Sequence, residues 1–221
     1  LPPYTFVATL NVVLLLHALP VFVDVDPDSM QMDASKLDAA ITERTAAIIP
    51  VHYSGNLADL DAILATARRR KVPVIEDACQ SHLAEWRGKK ACTLGDLGTY
   101  SFQASKNLNC GEGGAILSNN EDLIEKCYAF HYNGSSRSRR WADTLHGTKY
   151  LMTEFQAAIL IAQMTRLEEQ SRTREQNARY LTSLLREIPG IATQKIYDGC
   201  TRHAYHVYKF RYLKEHFAGM P

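Results

Sequence analysis

Lys106 closes the run Ser101-Phe102-Gln103-Ala104-Ser105-Lys106, just upstream of Gly111-Glu112-Gly113-Gly114. A primary amine that ends an apolar strand beside a glycine-rich return is placed to form a covalent imine. An ordinary surface charge needs no such setting. Upstream, Val72-Pro73-Val74-Ile75-Glu76-Asp77 is a second buried-strand pattern, with a carboxylate at its C-terminal end. An amine and a carboxylate, each at the mouth of a strand, suit pyridoxal 5'-phosphate chemistry. The lysine would hold the cofactor aldehyde, and the aspartate would keep the pyridine nitrogen protonated so that the ring accepts electrons.

The elements that must position these two groups alternate between strand and helix. Val21–Val25 and Ala46–Val51 read as strands, and Asp33–Arg44 as a helix capped by Asp33. A helix over Leu57–Arg70 ends in Arg68, Arg69 and Arg70, which suit the negative end of its dipole. The Val72–Glu76 strand follows, then a polar link through Trp86-Arg87-Gly88-Lys89-Lys90. Strands at Leu97–Gln103 and Ala115–Ser118 lead into a helix over Asn120–Phe130. Such alternation predicts an α/β fold with a mostly parallel central sheet covered by helices on both faces. Ligands of these sheets sit at the C-terminal ends of the strands, where Asp77 and Lys106 both fall.

Asn133–Lys149 is polar and aperiodic, carries Arg137, Arg139 and Arg140, and reads as a loop. Thr153-Glu154-Phe155-Gln156 is a capping box opening a helix to about Glu187. Leu160, Met164 and Leu167 form one apolar stripe on it. At ~1.5 Å per residue the helix is long enough to join two domains. Pro189-Gly190 stops it, and His203–Phe210 reads as the first strand of a smaller C-terminal α+β domain. These boundaries divide the chain into a cofactor-binding domain over 1–152, a connecting helix over 153–190 and the start of a small domain over 191–221. Beginning at Leu1-Pro2-Pro3 and stopping just after a strand pattern, the sequence reads as an interior piece of a longer protein.

Among 221 residues, 46% are hydrophobic and 22% charged, enough for a soluble globular core. The formal net charge of +1 argues against general nucleic-acid or acidic-membrane binding. Cys79, Cys92, Cys110, Cys127 and Cys200 show no CxxC and no metal-ligand spacing, the pattern of reduced thiols in a cytoplasmic protein. The longest apolar run, Val12–Leu16, is far too short to span a bilayer.

Taken together, the motifs resemble the DegT-type sugar aminotransferases, pyridoxal-phosphate enzymes of the aspartate aminotransferase fold (fold type I). The resemblance runs in order through Pro3-Tyr4-Thr5-Phe6-Val7-Ala8-Thr9, Pro20–Pro27, Ile49-Pro50-Val51-His52 and Val74–His82. It continues through Ser101–Leu108, Gly111–Ala115 and Tyr150–Ala158. It implies that Lys106 is the Schiff-base lysine and Asp77 the partner of the pyridine nitrogen. By the same resemblance Gln80 lies near the cofactor's phenolic oxygen, Ser101 binds its phosphate, and Phe6 stacks on its face. The family usually has an asparagine, reaching into the neighbouring subunit's phosphate site, where this chain has Lys149. A lysine can still serve there as a point charge. A homodimer with the active site at its interface is implied as well.

The reaction the resemblance implies is a two-stage amino transfer. Glutamate or glutamine gives its amino group, and a keto-sugar, commonly nucleotide-linked, or a cyclitol ketone receives it. Lys106 is covalent anchor and general acid/base in turn. A dehydratase branch of the family carries histidine in place of this lysine, so Lys106 argues against that branch. Other readings share the same residues: a Schiff-base lyase or nucleotide-binding protein on a similar α/β fold, or a silent cofactor-binding sensor or partner subunit. Gly111-Glu112-Gly113-Gly114 lacks the GxxxxGK[ST] form of a P-loop. His52 and His82 fit either a site role or the satisfaction of local backbone groups.

Overall fold

The computed structural model describes residues 1–135 and 145–219, so the expectation for Arg137, Arg139 and Arg140 lies outside the described residues. In chain order the elements are α1 (Val7–Leu15), α2 (Ala34–Ala40), α3 (Leu60–Arg70), β1 (Ile75–Asp77), β2 (Glu85–Trp86), β3 (Lys89–Lys90), β4 (Leu97–Ser101), β5 (Gly114–Leu117), α4 (Glu121–His131), α5 (Glu154–Leu185), β6 (Ile191–Thr193), β7 (Cys200–Arg202) and β8 (Phe210–Tyr212).

The site-bearing sheet is mixed. β1 pairs in parallel with β4, with Asp77 opposite Thr99, and β4 pairs antiparallel with β5. The segment 46–51 lies along the other side of β1, touching it through parallel bridges at Ile48–Val74 and Val51–Asp77. Pro50 sits between those bridges and has no N–H to give, so the ladder comes in two pieces. Its carbonyl still accepts the Asp77 N–H at 2.9 Å. The α/β architecture is therefore as expected, with three parallel members and an antiparallel edge at β5. Gly98 lets β4 pass close to the 92–95 turn. A Cβ there would sit 2.4 Å from the Cys92 carbonyl oxygen.

Helix ends follow local chemistry. Asp33 caps α2 by accepting the Ser35 N–H, Asp59 caps α3 through Ala62, and Asn120 caps α4. The capping box at α5 forms as read, Thr153 and Gln156 each accepting the other's backbone N–H at 3.3 and 3.0 Å. Such a cap contributes ~1 kcal/mol. α2 stops at Ala40, short of the expected Arg44, because the Thr45 hydroxyl accepts the Thr42 N–H and turns the chain instead.

Leu37, Ile63 and Ala67 bury against Ile48 and Val74 beside the sheet, while Leu57, Leu60, Trp86 and Cys92 form a second cluster. Phe102, Leu108 and Cys110 pack under Leu167 of α5. Leu160 joins that packing, but Met164 is 57% exposed, so the expected stripe is only partly covered. No helix among the described residues is long and apolar enough to cross a membrane.

Other expectations need correction. The strand at Val21–Val25 reduces to one bridge, Val25 to Met32. The polar link at Trp86–Lys90 is a hairpin of β2 and β3, turned by Arg87 and Gly88, both at positive φ. β7 extends that hairpin on its other edge. His203–Lys209 is not a strand. Ala204 and His206 give their N–H groups to Gly55 and Ser54, and Tyr205, at φ 45°, donates to the His203 ring. Helix α1 had no counterpart in the sequence reading.

Candidate active site

At the C-terminal ends of β1 and β4 lies a cavity of about 510 Å³. Lys106, Asp77, Gln80, Ser101 and Phe6 all line it, together with Thr5, Thr9, Cys79, Glu112 and His206. Lys149 does not. It is exposed, on a segment bridged to Tyr132 at the end of α4.

Asp77 ends β1 with both carboxylate oxygens held. Thr9 donates its hydroxyl to Oδ2 at 2.7 Å, and the Cys79 N–H reaches Oδ1 at 3.2 Å. Gln80 accepts the Ser54 N–H on its Oε1 at 2.6 Å, which leaves its amide nitrogen to donate toward the cavity. Ser101, the last residue of β4, accepts the Gln103 N–H at 3.2 Å.

From there the chain turns sharply. The Gln103 side chain accepts both the N–H and the hydroxyl of Ser105, and its carbonyl accepts the Lys106 N–H at 2.9 Å. Asn109 donates to the Lys106 carbonyl, and Asn107 donates to the Ala204 carbonyl at 2.9 Å. Lys106 is thus presented by a turn whose backbone bonds do not involve its side chain. Phe6, the N-cap of α1, stands 65% exposed at the rim.

The histidines separate by environment. His52 is fully buried. Its Nδ1 accepts the Ala58 N–H, so its proton sits on Nε2 and is donated to Glu76 at 3.0 Å. Glu76 also accepts from Cys92, Leu94 and Gly95. Burial pushes its carboxyl up, but the hydrogen bonds outweigh burial and hold it below the ordinary 4.5. His52 and Glu76 form a satisfied buried pair under the site.

His82 lies outside the cavity lining. It stacks on Tyr100 at 5.0 Å, and neither ring nitrogen has a hydrogen-bond partner. The Ser101 backbone is near enough to favour its charged form, without hydrogen-bond geometry, yet burial prevails and lowers its pKa to about 4. His206 was read as part of a strand but faces the cavity. Burial and then the Lys106 charge lower its pKa to about 4, so near neutrality it is an uncharged neighbour of the lysine. Cys79 is pushed up to about 12, by burial first and by Asp77 next, and stays a thiol.

The histidine shifts share one sign. An unfolded chain protonates its histidines near 6.5, whereas His82 and His206 wait until about 4 and His203, also buried, until about 3. Below pH 6.5 the unfolded state therefore binds more protons, and stability falls as pH falls. Glu76, depressed below 4.5, adds a loss in the same direction at lower pH. We expect the Tm to fall steadily from pH 6.5 toward 4.5 in thermal melts. A flat Tm over that range would contradict these environments.

Sequence reading missed Thr9, Thr5 and His206. The first two had no signal, since Thr5 precedes the N-cap Phe6 and Thr9 lies on a helix the apolar run did not reveal. The fold and the cavity define an α/β protein of the fold type I transferase class, with Asp77 and Lys106 lining one cavity. Residues 1–218 match the model of the DegT/DnrJ/EryC1/StrS aminotransferase family. The chain is 37% identical to an L-glutamine:2-deoxy-scyllo-inosose aminotransferase of Streptoalloteichus tenebrarius, over 100% of this chain and 54% of that protein. It is 40% identical to a GDP-perosamine synthase of Caulobacter vibrioides, over 95% of this chain and 57% of that one. The crystal structure of 3-amino-5-hydroxybenzoic acid synthase superposes with a TM-score of 0.90 at 34% identity, covering 96% of this chain and 56% of that one. The chain belongs to the DegT/DnrJ/EryC1/StrS aminotransferase family, and it spans about half the length of the curated relatives it matches.

Proposed function

We propose that the protein containing this chain is a pyridoxal-phosphate-dependent aminotransferase. It moves an amino group from glutamate or glutamine to a keto-sugar, commonly nucleotide-linked, or to a cyclitol ketone. The observation that carries this reading is the meeting of Lys106 and Asp77 on one cavity, Asp77 from the end of β1 and Lys106 from the turn that follows its parallel neighbour β4. The cyclitol and perosamine names of the two relatives favour these acceptor classes.

The residues present fit the cofactor. Lys106 Nζ would hold its aldehyde carbon and Asp77 its ring nitrogen. The free amide nitrogen of Gln80 would face the phenolic oxygen, Ser101 the phosphate, and Phe6 one ring face. When bound, the cofactor supplies an electron sink for negative charge at the donor's α-carbon. Lys106 Nζ, once released, moves the proton at that carbon, acting beside an uncharged His206. The described contacts of Asp77 are hydroxyl and amide donors, with no cation among them, which orient its oxygens toward the ring nitrogen's place.

The domain division at 152 and 190, a homodimer and a cytoplasmic location belong to the same proposal. The dimer is supported by exposed apolar side chains on α1 and α5, among them Val12, Leu15, Phe155 and Ile161. Lys149, exposed and outside its own cavity, would then serve a neighbour's phosphate site.

The full-length protein purified with pyridoxal phosphate tests the reading. A visible absorbance band, changed by glutamate or glutamine with release of the keto acid, is expected, followed by amination of a member of a keto-sugar and cyclitol panel. An absent band overturns the cofactor assignment. A band unaffected by amino donors points instead to a binding protein without turnover.

A further inference from the structure

We propose that Thr9, with Thr5 behind it, is a positioning residue that fixes the orientation of the Asp77 carboxylate; the inference rests on the aminotransferase reading. An ionised carboxylate has no proton to give. The 2.7 Å contact between Thr9 Oγ1 and Asp77 Oδ2 therefore consumes Thr9's only hydroxyl proton. Thr9 Oγ1 also lies 2.8 Å from Thr5 Oγ1. With its proton committed, Thr9 can only accept there. The direction is thus set: Thr5 donates to Thr9, and Thr9 to Asp77.

Thr5 precedes Phe6, the extended N-cap of α1, and Thr9 lies in the helix's first turn, so the entry of the chain into the helix brings the two hydroxyls together. Apart from Asn11, the rest of α1 is apolar and largely exposed, and Thr9 is its buried residue. Each hydroxyl polarises the next, so the pair is a better donor than one threonine alone. With Cys79 N–H on Oδ1, the carboxylate plane is held at both ends. Among the described residues no lysine, arginine or histidine forms an ion pair with Asp77. Neutral donors orient the anion without cancelling it, leaving its charge for a cationic group entering the cavity. Lysine or arginine at position 9 would cancel that charge.

The test uses the full-length holoenzyme. Thr9→Val keeps shape and removes the hydroxyl. We expect its kcat to fall roughly 10- to 100-fold, the scale of one charge-assisted hydrogen bond, with donor KM nearly unchanged. The bound cofactor's visible band should shift in wavelength or intensity, and Thr9→Ser should restore both properties to within about threefold. Thr5→Val should lower kcat by about threefold in the wild-type background and add nothing in the Thr9→Val background.

Wild-type kinetics and spectrum in Thr9→Val would overturn the inference while leaving the cofactor reading intact. A Thr5→Val effect that persists unchanged in the Thr9→Val background would overturn the relay, because Thr5, which lines the cavity, would then act on its own. A wild-type protein with no visible band overturns both readings together, and that result is distinct from the others.

Discussion

Full-length protein carrying Lys106→Ala is expected to show no visible cofactor band and to lose amino transfer by on the order of 10⁴-fold or more. Acid–base catalysis alone contributes ~10²–10⁴, and the same substitution removes the covalent anchor. No other lysine lines the cavity, so none is on hand to take over. Folding should be unaffected. The turn that presents Lys106 is held by the Gln103 carbonyl, by Asn107 and by Asn109, none of which uses the lysine amine. Lys106→Arg sharpens the test. Arginine keeps the charge but stays protonated, with no amine nucleophile to offer. It should be as inactive as alanine if Lys106 acts by bonding, and partly active if it acts only as a point charge. Absorbance spectra and turnover of both variants decide the matter. A persistent band, or a rate within tenfold of wild type, refutes the assignment.

Much of this site was legible because its residues sit where strand patterns end. Asp77 follows Val72–Glu76 and Lys106 follows Leu97–Gln103, and an α/β sheet directs such ends to one rim. Helix caps were legible for the same local reason, as Asp33 and Thr153 show. What failed was long-range. Nothing in the Gly114–Leu117 pattern reveals that β5 runs antiparallel, since direction is set by its tertiary partner. The alternation in His203–Phe210 imitates a strand, but its amides go to Ser54 and Gly55, some 150 positions earlier.

Helix α1 was missed because in Val7–Leu16 only Thr9 and Asn11 interrupt an apolar run, too few to give a helical period. That omission hid Thr9, whose role depends on how the chain enters α1 beside Thr5 and on a contact 68 positions away. The pairing of His52 with Glu76 was likewise invisible, although both residues stood inside recognised motifs. Sequence could weigh His52 only evenly between site and structure. Its Nδ1 bond to Ala58 and Nε2 bond to Glu76 give it a structural role, and its ring also lines the cavity.

The second large effect separates catalysis from folding. In Asp77→Asn the rate should fall roughly 10²–10³-fold, the scale expected when a buried charge pair loses one member at ~3–5 kcal/mol. The Tm should barely move. Asparagine has nearly the same shape, and its carbonyl can still accept the Cys79 N–H that Asp77 accepts at 3.2 Å. Its amide nitrogen then faces Thr9, which accepts from it, turns its own hydroxyl toward Thr5, and has Thr5 accept in place of donating. The hydroxyl pair can run in either direction, so no buried polar atom is stranded and the folding cost stays below ~1 kcal/mol. A carboxylate whose work is structural would give the opposite pattern. Glu76 is such a group, with four donors converging on it and no place on the cavity wall, and Glu76→Gln should cost stability first. Thermal melts and turnover measured on both variants separate the two carboxylates. If Asp77→Asn lowers the Tm as much as Glu76→Gln does, or leaves the rate within threefold of wild type, Asp77 is part of the scaffold and not of the chemistry.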